Sequence, residues 1–466
     1  MACSRRLSGL CFVWHTGWNA RTVDRSSKER LSQITATIVA STVPSLLGAL
    51  VGAGLVVGFT QLLKESLALV SNQAVWLIIT LPLFGLALSV LVLYGFGRSE
   101  SEGDESNNEW RTFPPRVARS DLTGEMVEFA GEEEGLRFRL APLRAVAIAA
   151  TVGLGGPLGT EAPAAYLGVA IGAGLGTVVR RGRRFLRCAA VGGGAAGVSA
   201  LMGIPLVGTA YILELGRRHD APLDAERVTA GLVGGIIGWL VNLAFHVNLI
   251  RLVIPKEPPH TFTQAILTAL LIGALAGSIT AITGAAIYRA KTWHAHPAFR
   301  LAVGALALTA TSITLVRIAG PEAAVGPGAG AILWVENTPT NSMIVLAVTL
   351  LRAVATTSAA AAGGCGGLFV PFLAVGDLGG RVFAHGFGVP DDLAGSAGAA
   401  AGIAGGYRLP ITAVVVVIGQ GGSHIAALCC LATVMVATIV GAGVAALLDR
   451  WANVGQPYIA KRAHEH

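Results

Sequence analysis

Long stretches of the chain carry no charged residue, and most polar residues collect in the segments between them. The uncharged runs at 31–63 and 66–97 exceed the roughly 20 residues that cross a bilayer core of about 30 Å. Further apolar runs fill most of 145–250 and 258–455, and several of them are short or broken by Gly or Pro. This pattern predicts an all-α polytopic membrane protein with tilted, broken helices, since helices satisfy their own backbone in lipid.

The composition narrows the class further. Hydrophobic residues make up 53% of the 466 and charged residues only 13%, against about a quarter in soluble globular chains. So few charges cannot cover a water-soluble surface, which excludes an ordinary soluble enzyme, a disordered chain and a disulfide scaffold. The six cysteines show no metal-ligand spacing, and we interpret them as small buried hydrophobic residues. We therefore expect no enzymatic activity, no metal site and no cofactor.

The charged segments predict how the chain lies in the membrane. Residues 1–30 form a basic tail, residues 98–139 form an acid-rich insertion outside the bilayer, and five arginines lie between 180 and 187. Because such loops account for the net charge of +7, the positive-inside rule places the N-terminus in the cytoplasm. We expect a multi-pass protein of the plasma (inner) membrane, in contact with membrane lipid and with no nucleic-acid partner.

The sequence contains an internal repeat. The segment 159–163 (GTEAP) ends in a proline that is followed by glycines at +5 and +9, and so does the segment 367–371 (GLFVP). A second pair of blocks agrees, because a glycine lies eight residues before Pro205 and another lies eight residues before Pro410. The predicted organisation is a tail at 1–30, transmembrane repeats at 31–250 and 258–455, and a short tail at 456–466 without an appended nucleotide-binding domain.

Each repeat predicts a helix that begins inside the membrane, at the proline that ends its glycine-rich strip. A helix N-terminus exposes free N–H groups and the positive end of the helix dipole. Two such ends that meet near mid-membrane form an anion site without a fixed cation, which holds an ion weakly enough to release it. The alternative is that the glycines only let helices pack closely, and we keep that interpretation for Gly168, Gly172 and Gly176.

Glu161 is the most informative single residue. It is the only acid between Arg144 and Glu214, and it lies two residues before Pro163 in an apolar stretch. An intramembrane carboxylate is costly and indicates a function. Because its surroundings suit an anion, we predict that the carboxylate occupies the anion site and leaves it on protonation, as a pH-responsive gate. The alternative is a plain helix cap that the dipole stabilises.

These motifs resemble those of a known family. The segment 159–163 is similar to the G-x-E-G-P motif of the CLC chloride channels and chloride/proton antiporters, and 366–371 is similar to their G-G-x-F-x-P motif. The resemblance runs from about residue 36 to residue 462, with the motifs in the family's order and spacing. It implies a CLC-type inverted repeat and a homodimer with one anion pathway in each subunit, in which chloride is the bound ion.

The resemblance also implies roles for individual residues. By motif position, Glu161 matches the gating glutamate of the family. Leu368 and Phe369 match residues whose backbone amides line the anion site. The other expected members of the site are Gly159, Ala162 and Gly367.

The sequence departs from the family at several positions. Thr160 and Ala162 replace the usual basic residue and glycine, which weakens the pull of the outer mouth on anions. The early G-S-G-I-P motif is absent, and its place falls near Ser120, whose hydroxyl could donate, beside Asp121, whose charge repels an anion. Tyr458 resembles the central tyrosine that donates to the ion, but its spacing is one residue short, and an interfacial aromatic anchor is the alternative.

The position that carries protons in the family's exchangers is altered as well. Matching Pro205 to the family's proline assigns Glu214 as the structural acid and Leu215 as the proton-relay position, and leucine cannot carry a proton. Glu214 could substitute only if the helix were rotated, because neighbours on a helix point about 100° apart. This favours channel-like or weakly proton-coupled flux.

The sequence therefore predicts transport of chloride or a similar small anion through a pathway gated by Glu161. Within this class, the alternatives are a chloride/proton antiporter with another relay and a transporter of fluoride or nitrate. In a different class, the chain is a degenerate member of the family that acts as a structural membrane subunit.

Overall fold

The computed structural model describes residues 20–96, 141–179, 182–218, 221–247, 259, 261–293, 295–387, 389–421 and 428–452. Within these ranges the regular structure is helical, apart from one isolated antiparallel bridge between Gly159 and Gly367. The prediction of an all-α fold is confirmed. The predicted insertion at 98–139, which contains Ser120, and the residue Tyr458 lie outside the described residues.

The helices follow one another in two successions. The first comprises α1 (Ala20–Ser71), α2 (Val75–Phe96), α3 (Ala141–Gly153), α4 (Glu161–Val178), α5 (Arg183–Met202), α6 (Val207–Arg218) and α7 (Ala225–Phe245). The second comprises α8 (Phe262–Thr292), α9 (Pro297–Ala319), α10 (Ala329–Asn337), α11 (Ser342–Ala361), α12 (Phe369–Arg381), α13 (Ala384–Phe387), α14 (Asp391–Gly402), α15 (Pro410–Gly421) and α16 (Leu428–Ala452). A 3₁₀ turn (Pro321–Ala324) precedes α10, and a π-helical turn (Ile403–Tyr407) extends α14.

Many of these helices are suited to a bilayer. Eight of the described helices, among them α1, α2 and α16, are long and apolar enough to cross a membrane. Large apolar side chains such as Leu69, Phe84 and Leu306 are exposed on their outer faces, where a soluble protein places polar groups. The predicted polytopic membrane architecture is confirmed. Helix α1 begins at Ala20, inside the segment predicted as a tail, and its membrane-compatible part begins at Glu29.

The two halves contain the same order of helices. Helices α4, α5, α6 and α7 follow α3, and helices α12, α14, α15 and α16 follow α11. Helix α4 packs along α5 as α12 packs along α14, and α6 meets α15 across the boundary between the halves. The bridge between the halves is antiparallel, as expected for two copies of one unit related by a two-fold axis. The predicted inverted repeat is confirmed.

Glycine allows α4 and α12 to lie deep in the protein. A Cβ atom on Gly168 would collide with the carbonyl oxygen of Gly193 in α5, and one on Gly376 would collide with that of Gly398 in α14. Helix backbones approach this closely only where no side chain intervenes. Because every residue of α12 is buried, its N-terminal end lies in the core rather than at the surface.

Three buried arginines differ from the expectation that charges lie between the apolar spans. Arg144, Arg300 and Arg352 are each only 1% exposed. Arg352 donates to the carbonyl oxygen of Gly326 at 2.6 Å, and Arg300 donates to that of Ala361 at 3.2 Å. The guanidinium groups of Arg300 and Arg352 satisfy carbonyls that helix ends and loops leave without a helical partner.

Candidate functional site

Two helix N-termini from opposite halves meet in the core. Helix α4 begins at Glu161 and helix α12 begins at Phe369. Just before them, the Gly159 N–H donates to the Gly367 carbonyl at 2.7 Å, and the Gly367 N–H donates to the Gly159 carbonyl at 2.7 Å. This pair of hydrogen bonds ties the two glycine-rich strips together directly beside the first N–H groups of both helices, which have no partner within their own helix.

Both helices begin two residues earlier than predicted. The sequence places their starts at Pro163 and Pro371, whereas these prolines are the third residues of α4 and α12. A proline still fits there, because the first four N–H groups of a helix have no partner within the helix. The consequence is that Glu161 belongs to the first turn of α4 instead of preceding it.

The Glu161 carboxylate spans the gap between the two helices. Its side chain is fully buried, at 0% exposure. The Thr160 N–H donates to Oε1 at 3.2 Å, the Thr160 hydroxyl donates to the same oxygen at 3.4 Å, and the Val370 N–H donates to Oε2 at 3.4 Å. A carboxylate from one repeat therefore lies at the N-terminus of a helix from the other repeat, held by neutral donors.

Glycine is required beside this carboxylate. A Cβ on Gly159 would lie 2.5 Å from Glu161 Oε2 and 3.1 Å from Pro371 Cδ, and a Cβ on Gly367 would lie 3.0 Å from the same carboxylate oxygen. Any larger residue would displace the carboxylate from the place it occupies. The two glycines shape the site through the absence of a side chain.

The remaining predicted residues of the motifs lie at the same place. Ala162 is buried and its backbone nitrogen lies against Gly367. Leu368 precedes the first turn of α12 as its capping residue, and Phe369 is the first residue of that helix. The structure thus brings the described residues of both motifs together. Their roles toward an anion stay predictions.

An aromatic cluster that no sequence pattern predicted lies next to the motifs. The ring of Phe369 meets the rings of Tyr211 and Tyr407 edge-on, each at 5.8 Å between centroids, and Phe372 lies 6.4 Å from Tyr407. Tyr211 belongs to α6, and Tyr407 ends the π-helical turn before α15. The only available signal was that each tyrosine lies near the second proline block of its repeat.

Two hydroxyl groups in this cluster bond to each other. The hydroxyl oxygens of Tyr211 and Tyr407 lie 3.0 Å apart, and either can be the donor. Tyr211 is completely buried and Tyr407 is 5% exposed. A hydrogen bond between side chains of the two repeats therefore lies in the apolar core, one aromatic ring away from the motif that holds Glu161.

Glu214 caps a helix of the other repeat. Its carboxylate accepts hydrogen bonds from the Ile411 N–H at 3.0 Å, from the Thr412 N–H at 2.8 Å and from the Thr412 hydroxyl at 2.7 Å. These donors form the first turn of α15, so the geometry is that of a cap between repeats. Leu215, the predicted relay position, is buried in α6 and carries no titratable group.

A cavity of about 260 Å³ lies beside the backbone of Tyr407. Arg218 donates to the Tyr407 carbonyl oxygen, and Arg408, which has a left-handed backbone with φ of 63°, pairs with Asp449 at 2.7 Å. The lining residues are Arg218, Ala404, Arg408, Pro410, Ala442, Ala446 and Asp449.

Comparison with known sequences identifies related proteins. A profile of the family described as voltage gated chloride channel matches residues 106–442. The chain is 23% identical over 419 residues to an H(+)/Cl(-) exchange transporter, ClcA, of Yersinia pestis bv. Antiqua (strain Angola), covering 86% of this chain and 84% of that protein. It is 25% identical over 344 residues to ClcA of Yersinia pseudotuberculosis serotype IB (strain PB1/+), covering 70% of each.

Solved structures share the fold. A CLC-type fluoride/proton antiporter superimposes with a TM-score of 0.66 at 23% identity, over 87% of this chain and 95% of that chain. A slow cyanobacterial Cl-/H+ antiporter gives a TM-score of 0.60 at 19% identity, over 90% and 98% of the two chains. A eukaryotic CLC transporter gives 0.59 at 16% identity, over 90% and 72%. At these identities, the similarity shows the architecture alone.

Proposed function

The chain belongs to the CLC family of voltage-gated chloride channels, and from that membership we propose that it carries chloride or a similar small anion along a pathway gated by Glu161. CLC-type anion transport follows from the family itself. The predicted site residues give this transport a physical route, because their N–H groups offer an anion partial charges inside an apolar protein.

The observation that carries the proposal is the position of the Glu161 carboxylate. It lies at the N-terminus of α12 and accepts hydrogen bonds from Thr160 and Val370. A halide ion requires the same donors as a carboxylate oxygen, namely N–H and hydroxyl groups that point at one place. An arriving anion and the carboxylate therefore compete for the site, and only one of them can hold it at a time.

Weak binding suits transport. The donors to the carboxylate are neutral, and Thr160 stands where the family usually has a basic residue. Partial charges of helix N-termini and hydroxyl groups bind an anion more weakly than a fixed cation does. The ion then leaves the site as readily as it enters, which conduction requires.

Protonation supplies the gate. A charged carboxylate that is fully buried depends on its hydrogen bonds to offset the loss of hydration. Once protonated, the side chain no longer needs three donors and no longer repels an anion. We infer that it then moves aside and lets an anion occupy the N-terminus of α12.

Two candidate functions differ in how strongly anion flux is coupled to proton movement. Leu215 at the relay position favours channel-like or weakly proton-coupled flux. The second candidate is antiport of chloride or fluoride against protons, since relatives are named an H(+)/Cl(-) exchange transporter and a fluoride/proton antiporter. Nitrate is a further anion that we would test, because the family's early motif is missing.

We also propose the setting in which this transport occurs. The protein would act as a homodimer in the plasma membrane, with its N-terminus in the cytoplasm, in contact with lipid and with chloride as its bound ion and no cofactor. The basic residues at the start of α5 support this orientation, because loops rich in arginine stay in the cytoplasm. Arg184 and Arg187 pair with Glu226, so the start of α7 lies on the same side of the molecule.

Anion flux from liposomes tests the gate. We expect chloride efflux through the purified protein to rise as the pH falls, because protonation opens the pathway. Glu161→Gln should make efflux independent of pH, and Glu161→Ala should leave the pathway constitutively open. The matched control is Glu65→Gln, since Glu65 is an exposed carboxylate on α1 and its loss should preserve the pH response.

Two results would contradict the proposal. An unchanged pH response in both Glu161 variants would refute the gating role of Glu161 but would leave the proposed anion transport standing. The absence of chloride, fluoride and nitrate flux through the unaltered protein would overturn transport and favour a structural subunit.

A further inference from the structure

The hydrogen-bonded pair of Tyr211 and Tyr407 has no place in the anion pathway described so far. The two side chains come from opposite repeats, and their hydroxyl oxygens lie 3.0 Å apart in the core. Two hydroxyl groups carry two hydrogens, and only one of them lies between the two oxygens. The pair can therefore accept a proton at one oxygen and release one from the other.

Stability alone does not explain this pair. Burying a hydroxyl in an apolar core costs free energy, which a hydrogen bond roughly offsets. Replacing both partners by apolar groups of the same shape is commonly neutral or stabilising. Two phenylalanines would pack on Phe369 as well as the two tyrosines do, so the hydroxyl groups call for another explanation.

The tyrosine pair packs against the residues that hold the Glu161 carboxylate. The ring of Phe369 contacts both tyrosine rings at 5.8 Å, and the next residue, Val370, donates its N–H to the Glu161 carboxylate. Glu161 is also close enough to interact electrostatically with both tyrosines. The hydroxyl pair and the gate thus belong to one cluster.

The cavity lies beside the backbone of one member of the pair, Tyr407. Arg218 on the cavity wall donates to the carbonyl oxygen of Tyr407, and Ala404 on the same wall belongs to the π-helical turn that Tyr407 ends. A volume of about 260 Å³ has room for several water molecules. The cavity therefore adjoins the backbone on both sides of Tyr407, whose hydroxyl belongs to the pair.

We propose that the Tyr211–Tyr407 hydroxyl pair passes protons between water in this cavity and Glu161, in place of the acid that Leu215 lacks. The inference rests on the proposed anion transport, to which it adds proton coupling. The neutral tyrosines act as a relay, so neither has to ionise.

The transfer balances at every atom. A proton from hydronium in the cavity binds a lone pair on the nearer hydroxyl oxygen, whose own O–H hydrogen moves to the oxygen of the second tyrosine. The second tyrosine releases its original hydrogen toward the Glu161 carboxylate, which becomes a carboxylic acid. One proton has moved, no electrons have been gained or lost, and rotation of the two hydroxyls resets the pair.

The charges around the route predict slow coupling. Arg218 and Arg408 lie at the cavity and disfavour hydronium there, whereas Asp449 pairs with Arg408 and offsets part of this effect. On α6, Glu214 lies three residues from Tyr211 and its carboxylate is engaged with α15. Arg144 is also within electrostatic reach of both tyrosines. A proton therefore crosses a partly cationic entrance before it reaches the pair.

The test measures anion and proton flux together. Liposomes that contain the full-length protein are given a chloride gradient, and chloride efflux and internal pH are recorded at the same time. We expect proton movement in the unaltered protein, and a fall of at least about tenfold in protons moved per chloride in both Tyr211→Phe and Tyr407→Phe. The matched control is Tyr166→Phe, a buried tyrosine of α4 whose ring lies 4.2 Å from the Arg144 guanidinium carbon and which should keep the original ratio.

Each other outcome has a defined meaning. Chloride flux without proton movement in the unaltered protein, or an unchanged ratio in both phenylalanine variants, would overturn the relay and leave the proposed anion transport standing. Loss of chloride flux together with proton flux in both variants would assign the hydroxyls to the anion route and overturn the relay as well. No anion flux in the unaltered protein would instead refute the proposed function.

Discussion

At the scale of single residues, the proposed gate depends on Gly159 as directly as on Glu161. A methyl group at this position would lie 2.5 Å from Glu161 Oε2, well inside van der Waals contact. We predict that Gly159→Ala pushes the carboxylate away from the N-terminus of α12. Anion efflux in liposomes should then rise at neutral pH and lose most of its pH dependence.

The control for this substitution is a glycine with open space around it. Gly54 lies on α1, and a methyl group at this position would have nothing within 4 Å, so Gly54→Ala should preserve the pH response. Alanine is also favoured over glycine in a helix by about 1 kcal/mol, which protects the fold. A Gly159→Ala protein that keeps the original pH response would show that the carboxylate does not hold the position described.

The residues of the two repeated motifs were predictable, whereas the tyrosine pair that joins the repeats was not. Gly159, Glu161 and Ala162 lie within four consecutive positions, so a single local pattern placed them at a helix start. Tyr211 and Tyr407 are 196 residues apart, and no spacing in the chain links them. Their contact depends on how α6 and α15 pack, which is a property of the tertiary structure.

At the scale of helices, Glu214 joins the start of α15 to the first repeat. It accepts three hydrogen bonds from Ile411 and Thr412, and hydrogen bonds to a charged group contribute about 1.5–3 kcal/mol. We predict that Glu214→Gln lowers the free energy of unfolding in detergent by about 2 kcal/mol. Thermal or denaturant unfolding of the purified protein measures this change.

Companion variants separate the cap from a general loss of charge. Thr412→Val removes one of the three donors, so its effect should be smaller, and the double variant should lose less than the two single effects combined. Glu65→Gln removes an exposed carboxylate and should change stability little. Equal effects of Glu214→Gln and Glu65→Gln would refute the capping role.

The sequence predicted which segments form helices more accurately than it predicted where those helices begin. Apolar runs and prolines predicted helix starts at the ends of 159–163 and 367–371, yet α4 and α12 begin two residues before their prolines. The burial of Arg352 could not be predicted either, because a charged residue is expected to be exposed unless the carbonyl groups that bind it are known. Both cases depend on hydrogen bonds that form only after the helices pack.

At the scale of the whole molecule, the arginines at the start of α5 predict an orientation in the membrane that can be measured. Helix α7 starts beside Arg184, through Glu226 at 2.9 Å, and its 21 residues reach about 30 Å, enough to cross the bilayer core. We predict that a cysteine placed at Arg183 reacts with an impermeant thiol reagent from the cytoplasmic side only. A cysteine at Phe245, the exposed last residue of α7, should react from the opposite side.

This labelling needs a background whose accessible native cysteines have been replaced, and intact cells and inside-out vesicles give the two sides. Reaction of both cysteines from the same side would contradict the crossing of α7. Reversed labelling would invert the proposed topology without affecting the fold.

The hydrogen bond between Glu161 and Val370 also has a consequence during synthesis of the protein. The donor that completes the Glu161 site, Val370, is 209 residues further along the chain. At about 5–20 residues per second, the ribosome needs on the order of 10 to 40 seconds to supply it. A half-synthesised chain contains the carboxylate and one helix end but lacks the donor from the second repeat. If the proposed pathway is right, we expect the bilayer to stay sealed until the second half has been inserted and has docked.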